Sequence, residues 1–306
     1  MIDIVIVNWN SSDYLKKCIN SVFTISNEKL IGTVFTIDNN SSDSSLESIT
    51  NYDKMVIIRN RENRGFSKAC NQGFKLCTSP YVLLLNPDAQ LLEKTLQNCI
   101  DLMQKRNEID ILGCQLINEQ GKVTISCSRF PTPKGIFFDS MGLSKIAPSI
   151  FKPGILMTDF NHMKSQFVDQ VMGAFMFMRR SIFEKSGYFD EQFFVYFEEV
   201  DFSKRISQLG SKSYFDAYTK AIHSGGGTTS SVKAFRLFLY LRSRLQYAKK
   251  HFNSAGYYSV WFCTFFIEPV TRPLFLLLKG ETQEITEIYK GYKLLLHPKR
   301  ILNKFK

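Results

Sequence analysis

The apolar positions in the first third of the chain fall into short runs, each closed by a polar cluster. Residues 3–7, 34–37, 55–58 and 81–85 are nearly unbroken apolar runs of strand length, the pattern of strands buried on both faces. Between them, Leu15, Ile19 and Val22 recur at helical spacing, and so do Leu46 and Ile49. Phe66, Ala69, Cys70, Gly73 and Phe74 share one face of a helix expected over 66–77. Four strand-then-helix units in succession predict an α/β fold built on a mostly parallel, doubly wound sheet. Each strand leads into Asn or Asp: Asn8 and Asn10 after the first, Asp38 and Asn40 after the second, Asn86 and Asp88 after the fourth. In open α/β sheets ligands bind at that carboxyl edge.

Residues 81–92 are the stretch around which the chain is arranged. Pro87 cannot donate to a sheet ladder, so the strand ends there and leaves Asp88 at its carboxyl end. Asp88 has two readings, a cap for a helix over 91–105 or a ligand-binding carboxylate. Asp38 likewise reads as a turn residue or as an acceptor for a base N–H or ribose hydroxyls. Neither the GxGxxG fingerprint nor GxxxxGK[ST] is present.

Downstream, 110–117 reads as a strand with a turn at 118–121. Arg129 reads as a surface arginine or a phosphate contact. Residues 134–165 carry Gly, Pro and mixed apolar residues without a clear period, which predicts a long mobile loop beside the acceptor. Residues 168–180 return as an apolar strand in which Gly173 leaves room for a close approach. A short helix over 181–186 stops at Gly187.

Glu198, Glu199 and Asp201 then follow an aromatic-rich segment. Acid at a helix start suits the helix dipole, and that reading is preferred for Asp201, which stands at i,i+4 to Arg205. Glu199 differs, because a carboxylate among aromatics is pushed toward the raised pKa that a general base needs. His223 follows an apolar segment and precedes Gly225, Gly226 and Gly227, a run able to cradle phosphate through backbone N–H groups.

Charge changes the picture of the last third. The 306 residues carry a net +11, but residues 1–201 hold 21 basic and 23 acidic side chains, whereas 202–306 hold 18 and 5. A basic half points to nucleic acid, an anionic membrane or a phosphorylated substrate. No zinc-finger spacing or RNA-recognition signature supports nucleic acid. Residues 232–252 form an amphipathic helix with Arg236, Arg242, Arg244, Lys249 and Lys250. Residues 252–267 are uncharged, shorter than the ~20 residues a spanning helix needs, and interrupted by Glu268, Pro269, Arg272 and Pro273. The expectation is a helix pair at a membrane surface, Lys and Arg toward anionic lipid. The seven scattered cysteines and the absence of a charged leader suggest a reducing, cytoplasmic location at the inner face of the cell membrane.

In order, VIVNWN, IDNNSSD, ENRGFSKACNQG and LLLNPD resemble the nucleotide-binding half of family 2 glycosyltransferases of the GT-A fold, especially their bacterial rhamnosyltransferase branch. The resemblance covers residues 2–250. It implies an inverting transferase, with dTDP-rhamnose the first donor reading and a UDP-hexose or galactofuranose donor the alternative. The implied acceptor is a polyprenyl-linked glycan of an envelope polysaccharide such as O-antigen or capsule. Asn8, Asn10, Asp38, Asn40, Gly65, Asn71 and Asn86 would hold the nucleotide. Asp88, with His223, would hold Mg2+ or Mn2+ and the diphosphate. Glu199 stands where the family carries its catalytic base, Glu in place of the usual Asp, with Glu198 the rival. Asp190 and Glu198 would face the acceptor. The chain departs from the family at Cys70, where many members have Arg, and at 86–88, where only the last Asp of the metal motif remains. Two other classes stay open, a nucleotidyltransferase and a non-catalytic nucleotide-sugar or lipid-binding module. The expected division is a catalytic domain over 1–230 and a basic helical extension over 231–306.

Overall fold

The computed structural model describes residues 1–50, 52–225 and 233–297. Among the described residues the strands are β1 (Ile2–Asn8), β2 (Ile31–Asp38), β3 (Met55–Arg59), β4 (Tyr81–Leu85), β5 (Ala89–Leu91), β6 (Ile111–Ile117), β7 (Cys127–Ser128), β8 (Gln166–Val168), β9 (Gln170–Val171), β10 (Phe175–Arg179) and β11 (Ser213–His223). The helices are α1 (Asp13–Val22), α2 (Ile25–Glu28), α3 (Phe66–Phe74), α4 (Thr95–Lys105), α5 (Pro133–Ser140), α6 (Leu143–Ile146), α7 (Ile182–Ser186), α8 (Glu198–Gln208), α9 (Lys233–His251), α10 (Ser254–Phe262), α11 (Glu268–Lys279) and α12 (Ile285–Leu295).

The main sheet runs β3-β2-β1-β4-β10-β6-β11-β5, with β8 on β11. β1 to β4 are mutually parallel as expected, and so are β6 and β11. β10 is inserted antiparallel between β4 and β6. Side chains alternate across β1: Ile2, Ile4 and Ile6 pack toward Leu15, Ile19 and Leu96, and Val5 and Val7 toward Ala69, Phe74 and Phe202. α3 lies directly on β1 because Gly73 has no Cβ; one added there would sit 2.5 Å from Val5 Cγ1.

Several expectations are corrected. The helix around Leu46 and Ile49 is a set of turns, because Asp43 accepts from the backbone N–H groups of Ser12 and Ser45 and fixes the chain locally. The helix expected from 91 starts at Thr95. Residues 89–91 instead form β5, so Asp88 caps no helix. Residues 134–165 are not a structureless loop: they contain α5 and α6, and Gly142 abuts the Phe275 ring of α11. The boundary at 230–231 and Gly226 and Gly227 lie outside the described residues.

The largest correction concerns the extension. Residues Ser254–Lys279 form one 26-residue helix, long and apolar enough to cross a membrane by length and composition. A π-helical turn, Cys263–Ile267, joins α10 to α11. Pro269 falls just after it, where the α-ladder is already broken, so it does not end the helix. Glu268 and Arg272 do not interrupt the helix either. Glu268 is buried and held by Arg244 Nη1 at 2.6 Å, Arg272 Nη2 at 2.8 Å and the Ser140 hydroxyl at 2.6 Å. Arg244 and Lys250, expected to face lipid, point inward, Lys250 to Asp190 and Asp201.

Burial alone would raise the Glu268 carboxyl, but Arg244 and Arg272 outweigh it and hold it at about 2. Glu268→Gln leaves Arg244 buried without its counter-charge and should cost about 3–5 kcal/mol in denaturant unfolding. The folded pKa lies below the ordinary 4.5, so this contribution should be present above that pH and fade as pH falls toward 2.

Candidate functional site

The carboxyl edge of the sheet opens on a cavity of about 900 Å³ that extends to the C-terminal helices. Register brings its first pair together. β11 runs antiparallel to β5 with His223 opposite Ala89. His223 Nε2 therefore stands 3.3 Å from Asp88 Oδ1, and Ser224 N–H donates to the Asp88 carbonyl. Asn86 lines the same wall, its Oδ1 buried without a partner among the described residues.

The opposite wall is the start of α8. Tyr196 and Phe197 both have left-handed backbones, φ 67° and 70°, a conformation rare for bulky side chains. They swing the chain so that Glu198 and Glu199 enter the cavity wall together. Gly173, expected to permit a close approach, faces Glu199: a Cβ there would lie 3.7 Å from its Cγ. Burial pushes both carboxyls up. Glu198 rises well above its ordinary value, since Glu199 beside it adds like charge to the penalty of burial. Glu199 is raised by its burial too, although N–H groups of the helix start favour its charged form. Two like charges side by side in a buried wall do not readily ionise together, so the pair titrates as a unit. Each keeps an Oε2 with no partner among the described residues.

The other expected residues stand behind these walls. Asn8, fully buried, donates to Asp38 Oδ1 at 2.8 Å and to the hydroxyls of Ser41 and Ser45, while Ser11 donates to its Oδ1. Asp38 also accepts from Ser41, Oγ to Oδ1 and N to Oδ2. Asn10 and Asn40 occupy left-handed corners, and Asn10 Oδ1 accepts from Ser42 N. Gly65 (φ 84°) lets the chain pass Phe194, whose carbonyl would lie 2.6 Å from a Cβ. Asn71 uses its amide on both backbone groups of Phe189. Asp190 holds Lys250 at 2.6 Å. Arg129 is paired with Asp159. Asp201 pairs with Arg205 as expected and additionally with Lys250 and His251. Residues 189–197 are therefore a strap tied to the Gly65–Asn71 segment on one side and to α9 on the other, where Ser243 donates to the Val195 carbonyl and Gln246 to that of Gln192.

Sequence reading missed Trp9, Asn39 and Asn63, which line the cavity. Asn39 accepts from Asn60 and donates to Asn63, which accepts from Gly65 N–H, an amide chain that shapes the cavity. Their signal was present, since all three sit inside the quoted motifs.

The sequence model of the family described as glycosyl transferase family 2 matches residues 3–187, ending before the acidic pair. A low-salt glycan biosynthesis hexosyltransferase of Haloferax volcanii is 26% identical over 259 residues, spanning 83% of this chain and 77% of that protein. An N-acetylglucosaminyl-diphospho-decaprenol L-rhamnosyltransferase of Mycobacterium tuberculosis is 20% identical over 258 residues, spanning 79% and 82%. Among solved structures, a mannosyltransferase of Pyrobaculum calidifontis in complex with GDP-Man and Mn2+ superposes with a TM-score of 0.58 at 12% identity, over 97% of this chain and 87% of that one. That likeness shows the fold, GT-A, as the sequence suggested.

The raised carboxyl of Glu198 sets a stability prediction. A group whose folded pKa lies above its ordinary 4.5 adds stability below that pH and loses it as pH rises, by about 1.4 kcal/mol per pH unit. Glu198→Gln should therefore be more stable than the parent at pH 8, the difference shrinking to nothing near pH 4.5 in denaturant titrations.

Proposed function

The chain belongs to glycosyl transferase family 2, and from that premise we propose that it transfers a sugar from a nucleotide-sugar donor to a glycan hydroxyl with inversion at the anomeric carbon. What supports this most is the convergence of two chemically different pairs on one cavity, Asp88 with His223 and Glu198 with Glu199. Glu199 takes the proton of the acceptor hydroxyl. The freed oxygen attacks the anomeric carbon, the bond from that carbon to the diphosphate breaks, and the nucleoside diphosphate leaves. Like charge disfavours ionising both carboxyls, so in this reading one of the pair holds a proton while Glu199 acts as base.

Asp38 has accepting capacity at Oδ2, taken among the described residues only by Ser41 N–H, and we assign it the base or ribose of the donor. Asn8, Asn10 and Asn40 shape that corner, Asn86 faces the diphosphate, and Gly65 and Asn71 hold the strap that closes the wall. We assign Asp190 a positioning role on the acceptor side through Lys250. No group of three or more His, Cys, Asp or Glu side chains placed to hold a metal ion exists among the described residues. Asp88, His223 and the unpartnered Asn86 oxygen nevertheless suit Mg2+ or Mn2+ completed by diphosphate oxygens. When bound, such a cation neutralises charge on the leaving diphosphate.

The rhamnosyltransferase likeness supports dTDP-rhamnose as donor and a polyprenyl-linked glycan as acceptor, in envelope polysaccharide synthesis at the inner membrane face. Residues 1–230 form the catalytic domain in this reading and 231–306 its extension.

Calorimetric titration with TDP, UDP and GDP, each with manganese and with chelator, tests the donor site. We expect metal-dependent binding of TDP, with UDP the alternative; binding of none by folded protein overturns the reading. Glu199→Gln should keep nucleotide binding and lose about 10²–10⁴-fold in turnover, and full activity in that variant excludes Glu199 as base.

A further inference from the structure

The helix Ser254–Lys279 combines two properties that conflict. By length and composition it could cross a membrane, yet only 28% of its most apolar stretch is buried. Most of what it exposes lies along one side. Tyr258, Phe262, Phe266, Val270, Leu274 and Leu278 recur every four residues, each more than half exposed.

In an uninterrupted α-helix such a row drifts by about 40° per step and winds around the cylinder. The π turn at Cys263–Ile267 sets the phase back by about one residue, so the second half of the row returns over the first. The result is an apolar ridge confined to about 100° of the helix surface where an unbroken helix would wind it through about 200°, and α6 and the residue closing α5 add exposed Ile146 and Met141.

The opposite side is fixed in the middle of the helix. Glu268 is clamped by Arg244 and Arg272 and by Ser140 of α5, and Thr271 donates to the Ser140 carbonyl. For the helix to cross a bilayer, this cluster would have to open and leave Glu268 in hydrocarbon, and bringing Arg272 along would not avoid the penalty for charge at that depth.

We infer that the helix lies flat in the lipid interface, its ridge sunk to the acyl boundary and its inner side locked to the catalytic body. The occupant is an anionic bilayer surface. The ridge is aromatic at its start, as interfacial helices are, and the last third of the chain, to which it belongs, carries 18 basic against 5 acidic residues. This differs from the basic helix face read from the sequence: the greasy side of Ser254–Lys279 makes the contact.

One consequence deepens the proposed function and rests on it. Phe275, Leu276 and Lys279 of this helix, with Lys145 of α6, line the same cavity as Glu199. The cavity therefore opens at headgroup height, where a lipid-linked acceptor can present its anionic headgroup to Lys145 and Lys279 while its chains stay in the bilayer.

Tryptophan depth measures the placement without any turnover. The chain has two tryptophans, Trp9 and Trp261. Trp9→Phe leaves Trp261, which flanks the start of the ridge beside Phe266, as sole reporter, and adding Trp261→Phe with Val270→Trp or with Leu278→Trp moves it onto the ridge. Circular dichroism and thermal melting confirm that each variant is folded. With vesicles of phosphatidylcholine and phosphatidylglycerol, all three positions should be quenched alike by lipids brominated near the glycerol and little by lipids brominated near the chain end. Phe262→Glu with Phe266→Glu should lower vesicle partitioning at least tenfold and leave the melting transition in place. Deeper quenching at position 270 than at 261 and 278 means a crossing helix and overturns the inference. So does full-length protein that stays in the supernatant at low salt, in which case the ridge meets a protein or a second copy. Either failure leaves the catalytic reading standing, because nucleotide binding does not depend on it.

Discussion

Two consecutive left-handed residues, Tyr196 and Phe197, carry strain of roughly 1–3 kcal/mol each. They persist because the strap around them is tied from both sides. Phe66 N–H donates to the Phe194 carbonyl, Asn71 holds both backbone groups of Phe189, and Ser243 holds the Val195 carbonyl. At about 0.5–1.5 kcal/mol net for each such bond, the ties together are of the size needed. The Phe197 ring adds contacts to Tyr240 and Tyr247 of α9. Without this the first turn of α8 would not direct two adjacent carboxyls at one cavity.

The extension thus packs against the strap and lines the cavity, so structurally it is not a separate appendage. α9 supplies Ser243, Gln246 and Lys250 to the strap and His251 to Asp201, three residues beyond Glu198. The same helix supplies Arg244 to the Glu268 cluster. One element therefore links the acidic pair to the outermost helix, with buried charge at both ends. Buried ion pairs add little net stability, but removing one partner is severe, which suits a junction required to hold one geometry.

Much of this was legible. The strands of the first half were visible as unbroken apolar runs, and the polar edge followed from where those runs stop. Motif order gave the family before any coordinates. What escaped depended on distant partners. β5 is three residues long and exists because β11 pairs with it, so no local period announces it. The helices within 134–165 are short, and they pack on α10 and α11, which sequence spacing cannot place. Glu268 looked like an interruption because its partner Arg244 lies more than twenty positions earlier, and Arg272 because its own partner is Glu268. Asn39 and Asn63 were inside recognised motifs but were overlooked in favour of charged neighbours.

The position of β10 has a consequence for how the chain is made. β4 sits at the middle of the sheet, and its outer edge is covered by residues 175–179, about ninety positions later. A nascent chain that has completed β1 to β4 therefore exposes an unpaired, wholly apolar strand, the kind of edge that recruits other chains. During elongation at about 5–20 residues per second, that edge waits several seconds for its cover. Truncations ending before residue 175 inherit the exposed edge permanently, so for this fold the smallest soluble fragment is set by closure of the sheet and not by the limits of the nucleotide-binding motifs.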